Sequence, residues 1–432
     1  MFRQYLIQAL NLMKQNRFFS FVYILGTALA ISMVMMMAIV YYIRTADIAP
    51  EVGRDRLLLV NWATAWQKKG ESTWKSGLSY KTVKECYYPL KSAELSTAFI
   101  LPATIRNRMG ESRLRLPGSK EKVTAALAAT DVAYWQVFRF TYVSGKPYTP
   151  EEFESGVCRA VLNETMAKKL FGKTDVVGQA VQINGIDYHV SGVVRDVSAV
   201  NTLTSADVWV PFTSMSLLLR RHDPEDILGR LQVCIRCKSA GHFAAVREEI
   251  EQNRKRYNTT LNEWEYQVRE GQEGRIWRDY LLSELDANTP PSRLLAQYAL
   301  ILFIFLLVPG VNLSGLSASD MVRRIPELGL RKAFGASRAT LIIQVLTENL
   351  LLTVIGGIIG LLLSFLLVFV LRHLLFGMAD ATTEISLSPG MLFNLPVFLI
   401  SFGFCLLLNL LSAILPAWRS TRVSIVQALN DK

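Results

Sequence analysis

A chain of 432 residues with 51% hydrophobic and only 19% charged residues is too apolar for an ordinary soluble protein, in which about a quarter of residues carry charge. The formal net charge of +11 would suit a nucleic-acid-binding protein. However, many of the excess positive residues flank the apolar blocks, and no basic run or stripe lies between them. Composition and charge therefore argue against nucleic acid as a partner and favour a membrane protein.

The N-terminal region predicts two successive helices. Apolar residues of the segment 1–17 recur at helical spacing opposite Arg3 and Lys14, which predicts an amphipathic helix at the cytoplasmic face of a membrane. Residues 18–43 carry no charge and exceed the ~20 residues needed to cross a bilayer. No small-residue cleavage site follows at the right distance, so this segment predicts a retained first span and not a signal peptide.

Residues 44–290 have the composition of a soluble protein and predict a mixed α+β domain inserted after the first span. Residues 56–60 predict a strand and residues 80–92 predict a helix, and strand-like runs follow that helix through Leu116. Two later runs within residues 177–196 predict a hairpin, because Asn-Gly is the strongest short turn signal. A further helix is predicted over residues 240–257.

Three more apolar blocks predict membrane helices over residues 294–317, 339–371 and 395–414. Lysine and arginine are enriched in residues 1–17, in the loop 318–338 and in the tail 415–432, whereas Asp380 and Glu384 lie between the last two spans. Positive flanks stay in the cytoplasm, so both termini are predicted inside and the inserted domain outside. The predicted fold is thus a four-helix α transmembrane domain carrying a large extracytoplasmic α+β domain between spans one and two.

One stretch resembles a nucleotide-binding loop. Residues 167–174 fit a permissive phosphate-binding-loop pattern that ends in Gly172, Lys173 and Thr174. Such a loop needs a glycine-rich turn between a strand and a helix. Here the stretch itself predicts a helix that ends at Gly172, on the side of the membrane away from ATP. The match is therefore interpreted as chance.

The sequence contains only a weak signal for a metal site or a catalytic site. Cys234 and Cys237 have the spacing of a redox or zinc pair, but residues 231–237 alternate as in a strand, where positions three apart point to opposite faces. No second such pair and no paired histidines accompany them. The sequence therefore predicts no metal site, no catalytic site and no disulfide framework.

A specific resemblance comes from residues 323–337, which read R-R-I-P-E-L-G-L-R-K-A-F-G-A-S. This segment resembles the signature loop of FtsX/MacB-type ABC transporter permeases, in which a membrane helix with glutamine, glutamate and a glycine cluster follows. Residues 131–196 likewise resemble the MacB-type periplasmic core domain, and the tail from Pro416 resembles the family's ending. The resemblance covers nearly the whole chain.

The resemblance implies that residues 323–337 form a coupling helix that fits a groove on a separate cytoplasmic ATPase subunit. Leu328, Leu330 and Phe334 would give that helix an apolar face, and Gly335 would end it. The alternative is a basic loop that only fixes topology. The predicted coupling residues are Arg323, Arg324, Pro326, Glu327, Leu328, Gly329, Leu330, Arg331, Lys332, Phe334, Gly335, Ala336 and Ser337.

Polar and small residues inside the third span form a second group of candidates. Gln344 and Glu348 are polar within an apolar helix, and an ionisable residue there is costly enough to suggest a function. A function in carrying substrate or protons is one interpretation of Glu348. The favoured one is that Arg338 or loop amides near the membrane surface pair with its carboxylate. The glycines allow two helices to approach closely, either within one chain or across a dimer. They are Gly356, Gly357 and Gly360.

By resemblance, the chain is expected to be a non-catalytic permease subunit of a bacterial inner membrane. It would hold no cofactor, because a partner ATPase would bind ATP and magnesium. A homodimer or heterodimer is expected, with a periplasmic adaptor and an outer-membrane channel as further candidate partners. Efflux or lipoprotein extraction driven by mechanical transmission is the favoured function. The alternatives are a sensor that signals through an ATPase and an activator of cell-wall hydrolases.

Overall fold

The computed structural model describes residues 17–70, 72–215, 224, 226–268, 274–285, 289–300, 303, 330–331, 333–376 and 395–420. These residues belong to two compact units. The first, the helical unit, contains the long apolar helices, and the second, the sheet domain, contains Arg44–Pro291. The amphipathic helix predicted before residue 17, most of the span 294–317 and most of the loop 318–338 lie outside the described residues.

The sheet domain contains a twelve-stranded mixed sheet and a four-stranded antiparallel sheet. The strands are Leu57–Val60 (β1), Ala63–Gln67 (β2), Thr73–Leu78 (β3), Leu95–Ile100 (β4), Ser112–Arg115 (β5), Val123–Ala125 (β6), Leu127–Thr130 (β7), Tyr142–Gly145 (β8), Arg159–Asn163 (β9), Ala180–Ile183 (β10), Ile186–Val194 (β11), Val208–Pro211 (β12), Leu228–Gly229 (β13), Gln232–Arg236 (β14), Trp264–Gln267 (β15) and Arg275–Ile276 (β16). The large sheet has the order β16-β1-β14-β4-β7-β12-β9-β11-β10-β5-β6, with β8 paired to β11, and the small sheet has the order β13-β3-β2-β15.

Most neighbours in the large sheet run antiparallel, but β7 pairs with β12 and β9 pairs with β11 in parallel. The strands β1, β7 and β12 are buried along their whole length. A strand covered on both faces reads as a continuous apolar run, as in the Leu-Leu-Leu-Val of β1, and does not alternate. The large sheet is therefore the centre of the sheet domain's core.

Short helices surround the two sheets, and side chains cap several of them. Ser79, Thr149 and Asn163 each accept a hydrogen bond from a backbone N–H in the first turn of the helix that follows, as N-cap residues do. Thr149 and Glu152 form a reciprocal capping box. The helices of this domain are Tyr80–Cys86 (α2), Pro102–Met109 (α3), Tyr134–Val137 (α4), Pro150–Glu154 (α5), Glu164–Phe171 (α6), Phe243–Thr259 (α7) and Trp277–Leu285 (α8).

A buried carboxylate organises the start of α4. Asp131 accepts hydrogen bonds from the Thr97 and Tyr88 hydroxyls at 2.6 and 2.7 Å, and from the backbone N–H groups of Ala98 and Tyr134 at 2.7 and 2.9 Å. Burial raises the pKa of Asp131, whereas these four donors act in the opposite direction. Four donors around two oxygens satisfy the charge, so Asp131 joins three separate segments of the domain.

Several predicted elements of the inserted domain are confirmed. The hairpin is β10 and β11, and Asn184 and Gly185 both have positive φ at its turn. The helix predicted over residues 240–257 consists of the single turn Ala240–His242 followed by α7. Two predictions were wrong. The helix expected to reach residue 92 ends at Cys86, and the strand-like run before Leu116 contains the helix α3.

The long helices are Arg17–Thr45 (α1), Arg338–Val370 (α9) and Leu395–Ser420 (α11), followed in the case of α9 by the short helix Arg372–Phe376 (α10), and residues 291–300 are also helical. The helical unit contains α1 up to Ile43, α9, α10 up to Leu375 and α11, whereas the last two residues of α1 belong to the sheet domain. Stretches Ser20–Thr45 and Ala339–Val370 are long and apolar enough to cross a membrane. The predicted spans 294–317 and 395–414 remain predictions, although α11 begins where expected and continues six residues past 414. Ile31 and Met35 of α1 pack with Leu361 of α9 and Phe402 of α11.

Candidate coupling site

The coupling turn, residues 330–337, presents two large apolar side chains one helical turn apart. The N–H of Phe334 donates to the carbonyl of Leu330 at 3.1 Å, which sets the two residues at helical i, i+4 spacing on one face. Leu330 is 50% exposed and Phe334 is 84% exposed. Two exposed apolar side chains on one face could contact a partner protein, and residues 330–337 are therefore the candidate site. Residues 323–329 and Lys332 lie outside the described part of the chain.

The turn ends sharply and leads directly into α9. Gly335 has a φ of +90°, a conformation that glycine adopts without steric cost. The N–H of Ala336 donates to the carbonyl of Arg331 at 3.0 Å, which closes the turn. Ser337 then caps α9, because its hydroxyl oxygen accepts from the N–H of Thr340 at 3.2 Å. The coupling turn and α9 are thus joined by a short connection that these hydrogen bonds stabilise.

A side-chain contact reinforces this connection. The guanidinium Nη1 of Arg331 donates to the amide Oε1 of Gln344 at 2.5 Å, and Gln344 is 7% exposed. Beside it, Ala336 packs on Leu341 and Val345 of the same helix. Gln344, predicted as a polar residue of the span, therefore holds a residue of the coupling turn. Glu348 lies one turn further along α9.

The three candidate glycines of α9 lie where other helices of the same chain approach. A Cβ atom at Gly356 would lie 3.0 Å from Cβ of Thr27, and one at Gly360 would lie 2.7 Å from the carbonyl oxygen of Ala28. A Cβ atom at Gly357 would overlap the ring of Phe402. The structure thus places all three at contacts with α1 and α11 within one chain.

The phosphate-loop pattern lies on a helix and the cysteine pair lies at a strand, as the sequence predicted. The lysines of the phosphate-loop pattern belong to α6 or follow it, Gly172 ends α6 with a φ of +72°, and Lys173 is exposed. Cys234 and Cys237 are free and buried, within β14 and directly after it. Among the described residues, no group of three or more histidine, cysteine, aspartate or glutamate side chains is arranged to hold a metal ion.

The bond between Arg331 and Gln344 was not predicted from the sequence. The two residues are 13 positions apart and lie on either side of a turn, so no helical or strand periodicity relates them. The available signal was a glutamine in the first turns of an apolar helix that follows a basic loop. A buried amide needs a hydrogen-bonding partner, and the loop provided several.

Family models match most of the chain. The model of the MacB-like periplasmic core domain matches residues 20–253, and the model of the FtsX-like permease C-terminal domain matches residues 299–425. The chain belongs to the MacB/FtsX-type ABC transporter permeases. Proteins of this family are inner-membrane permeases with a periplasmic domain.

Curated relatives agree with this assignment. The chain is 24% identical over 311 residues to an uncharacterised ABC transporter permease, YknZ of Bacillus subtilis, covering 72% of this chain and 71% of the relative. It is 24% identical over 302 residues to the macrolide export ATP-binding/permease protein MacB of Bdellovibrio bacteriovorus, covering 69% of this chain and 42% of the relative. A pyoverdine export ATP-binding/permease protein, PvdT of Pseudomonas savastanoi, is 23% identical over 310 residues and 43% covered. The chain thus spans less than half the length of these two export proteins.

Solved structures of similar domains include the periplasmic region of MacB from Actinobacillus actinomycetemcomitans. That structure is 15% identical, with a TM-score of 0.33, and the match covers 53% of this chain and 94% of the solved chain. The extracellular domain of a YknZ transporter is 16% identical with a TM-score of 0.33, covering 48% of this chain and the whole of that domain.

Proposed function

We propose that this chain is the membrane subunit of an ABC transporter whose ATP is hydrolysed by a separate cytoplasmic ATPase. The observation that carries the proposal is the pair of exposed apolar side chains, Leu330 and Phe334, on a turn that is hydrogen-bonded to a membrane helix. Buried apolar anchors dominate the energetics of protein interfaces, and this turn offers two of them. Its position in the FtsX-like domain supports the same role.

The connection between the turn and α9 suits mechanical transmission. A displacement of the turn by the ATPase would pass through Arg331 to Gln344 and through the Ser337 cap to the first turn of α9. A flexible loop would absorb such a displacement, whereas a hydrogen-bonded connection passes it on. The sheet domain is the proposed recipient of the movement, as the working part of an exporter or a lipoprotein extractor.

The partners follow from this arrangement as proposals. The four-span topology with both termini inside would expose residues 318–338 to the ATPase, which would bind ATP and magnesium. Residues 44–290 would lie in the periplasm, where an adaptor and an outer-membrane channel could be engaged. A homodimer or a heterodimer with a related permease would give each ATPase of a nucleotide-driven dimer its own docking turn. Macrolide and pyoverdine export by relatives favours efflux over signalling.

Co-purification of the ATPase with variants of the coupling turn tests the proposal. Leu330→Asp and Phe334→Asp place a carboxylate in the apolar contact, and each should reduce the ATPase retained in detergent by about tenfold or more. Lys332→Ala removes only a charge and should cost on the order of 1 kcal/mol or less. The test uses the full chain co-expressed with the ABC ATPase proposed as its partner.

A matched control introduces the same charge next to the turn. Ala339→Asp adds a carboxylate at an exposed position in the first turn of α9, where a negative charge is favourable. This variant should retain the ATPase as well as the unmodified chain does. Full retention by Leu330→Asp and Phe334→Asp would contradict the proposal and leave residues 323–337 as a topology signal only.

A further inference from the structure

An arginine at the start of the sheet domain is almost completely buried. Arg54 is 1% exposed, and it directs its guanidinium at three different segments. Its Nη1 donates to the carbonyl of Ala46 at 2.6 Å, and its Nη2 donates to Oε2 of Glu51 at 2.7 Å and to Oδ1 of Asn201 at 2.9 Å. Its Nε donates to the same Glu51 oxygen at 3.1 Å. A charge in this position is tolerated only because its donors are occupied.

The second carboxylate oxygen of Glu51, the ion-pair partner of Arg54, also accepts hydrogen bonds. Oε1 of Glu51 accepts from the N–H of Leu203 at 2.8 Å, and from the N–H and hydroxyl of Thr204, both at 3.0 Å. Glu51 is fully buried. The pair therefore joins the beginning of the domain to the segment before β12. A buried ion pair whose oxygens and N–H groups are hydrogen-bonded fixes one geometry. An apolar pair of similar volume would fix the geometry less specifically.

Arg54 also contacts the other end of the domain. Its guanidinium carbon lies 4.6 Å from the ring centroid of Trp277, the first residue of α8. The indole Nε1 of Trp277 donates to the carbonyl of Arg44 at 2.9 Å, and Arg54 Nη1 approaches the same carbonyl at 3.4 Å. Arg44 lies in the last turn of α1. The first and last parts of the sheet domain thus converge on one side chain.

We infer that Arg54 is a clamp that holds together the two places where the polypeptide begins and ends the sheet domain. Arg44–Ala46 is the beginning, and Trp277 is the first residue of α8, the last described helix before the domain ends at Pro291. Backbone carbonyls, a carboxylate and an indole ring surround one guanidinium, whose planar fork can reach several acceptors and stack on a ring at once. Lysine could not replace it, because a single ammonium has neither the reach nor the stacking face.

The clamp has a consequence for transmission, and this step rests on the proposed function. If a movement reaches the sheet domain through either connecting segment, a clamp delivers it to both together. Without the clamp, each segment could loosen separately, and part of the movement would be lost as local unfolding. Arg54 would then be a positioning residue of the transport cycle.

Hydrogen–deuterium exchange of the full chain in lipid nanodiscs tests the clamp without the ATPase. Arg54→Met keeps an unbranched side chain that reaches the position of the arginine Nε, and it removes the charge and every donor. Amides of residues 44–54 and of residues 277–285 should both exchange about tenfold faster or more, as expected for a local opening made easier. Amides of β9 and β11 provide the internal reference and should remain unchanged.

Two further variants separate a clamp from a loss of overall stability. Trp277→Phe keeps an aromatic ring over the guanidinium and removes only the Nε1 donor to Arg44, so it should fold and raise exchange at residues 44–54 by a smaller factor. Arg254→Met is the matched control, because Arg254 binds Glu251 and the Tyr266 carbonyl and contacts neither end of the domain. It should loosen α7 and β15 alone.

The inference is overturned if Arg54→Met loosens residues 44–54 but leaves residues 277–285 protected, or if it loosens the whole sheet domain equally. In the assembled complex, Arg54→Met should retain the ATPase in co-purification, yet nucleotide should change the exchange of its sheet domain less than it changes that of the unmodified complex. A change of normal size in Arg54→Met would overturn the transmission step. Failure of ATPase binding in Leu330→Asp concerns only the docking proposal, so the two outcomes are distinguishable.

Discussion

Glycine in α9 marks positions where another backbone is too close for a side chain. The carbonyl oxygen of Ala28 lies 2.7 Å from where a Cβ of Gly360 would be, and at Gly356 the nearest atoms include the carbonyl of Ile24 at 3.2 Å. A backbone carbonyl can move only if its helix moves. The small residues of α9 therefore set how closely α1 packs against it, as small residues do between membrane helices.

Gly360→Ala should destabilise the helical unit. Alanine favours a helix over glycine by about 1 kcal/mol, but the clash with the Ala28 carbonyl should cost more, typically 1–3 kcal/mol for an overpacked site. We expect a lower midpoint of thermal unfolding in detergent, followed by the fluorescence of the solubilised full chain.

Gly403 of α11 gives a control for helix propensity alone. Among the described residues, no atom outside the backbone of α11 itself and the two neighbouring residues lies within 4 Å of the position where its Cβ would be, so Gly403→Ala adds a methyl group without a clash there. This variant should be as stable as the unmodified chain or slightly more stable. Equal unfolding midpoints for Gly360→Ala and Gly403→Ala would show that α1 does not approach α9 at Gly360.

Among the secondary-structure elements, α6 is the one whose sequence could suggest nucleotide binding. A phosphate-binding loop presents several backbone N–H groups to one anion. Here the residues of the pattern up to Phe171 belong to α6, and Gly172 ends that helix in a left-handed conformation. Lys173 extends into solvent after that end. We expect Lys173→Ala to leave the ATPase rate of the assembled complex within about twofold, because a phosphate-cradling lysine would be worth ~10²-fold.

The measurement is steady-state phosphate release by the purified complex at saturating ATP. The matched variant is Lys169→Ala, which removes another lysine of the same pattern from the last turn of α6. Both should behave alike. A loss near a hundredfold with Lys173→Ala alone would mean that the segment binds nucleotide despite its helical form.

Elements with a local signal were predictable from the sequence. The hairpin of β10 and β11 follows from Asn184-Gly185, and α7 follows from its helical periodicity. The helix α3 also had a local signal, Pro102 at its first position and Gly110 just after its end, but its mean hydrophilicity and flanking strands made the region read as strand. Strands β2 and β3 were not predicted, because exposed tryptophan and lysine residues interrupt their apolar pattern.

Contacts between distant segments were not predictable in this way. Arg54 and Asn201 are 147 positions apart, and the charges at Asp47, Glu51 and Arg54 look like an ordinary solvated surface in the sequence. The parallel pairing of β7 with β12 likewise brings together strands that no local pattern relates. Of the coupling turn, the sequence predicted the apolar face and the terminal glycine, but not the bond that ties Arg331 to Gln344.

The family assignment and the positively charged residues that flank the predicted spans imply one membrane topology for the whole molecule. Residues 44–290 should lie outside the cytoplasm, and the coupling turn should lie inside. Among the described cysteines of the sheet domain, Cys86, Cys234 and Cys237 are buried, but Cys158 is partly exposed and would add background to a labelling test. All native cysteines are replaced by alanine before a single new one is introduced.

Ser72 lies at the exposed end of the β2–β3 hairpin, and Ala339 lies at the exposed start of α9. Ser72→Cys should react with a membrane-impermeant maleimide in intact cells whose outer membrane, if present, has been permeabilised. Ala339→Cys should react only after lysis, because it belongs to the positively flanked cytoplasmic side. The paired variants control for reagent leakage and for general reactivity. If Ser72→Cys were labelled only after lysis while Ala339→Cys reacted in intact cells, the orientation would be reversed, and an ATPase in the cytoplasm could not reach the coupling turn.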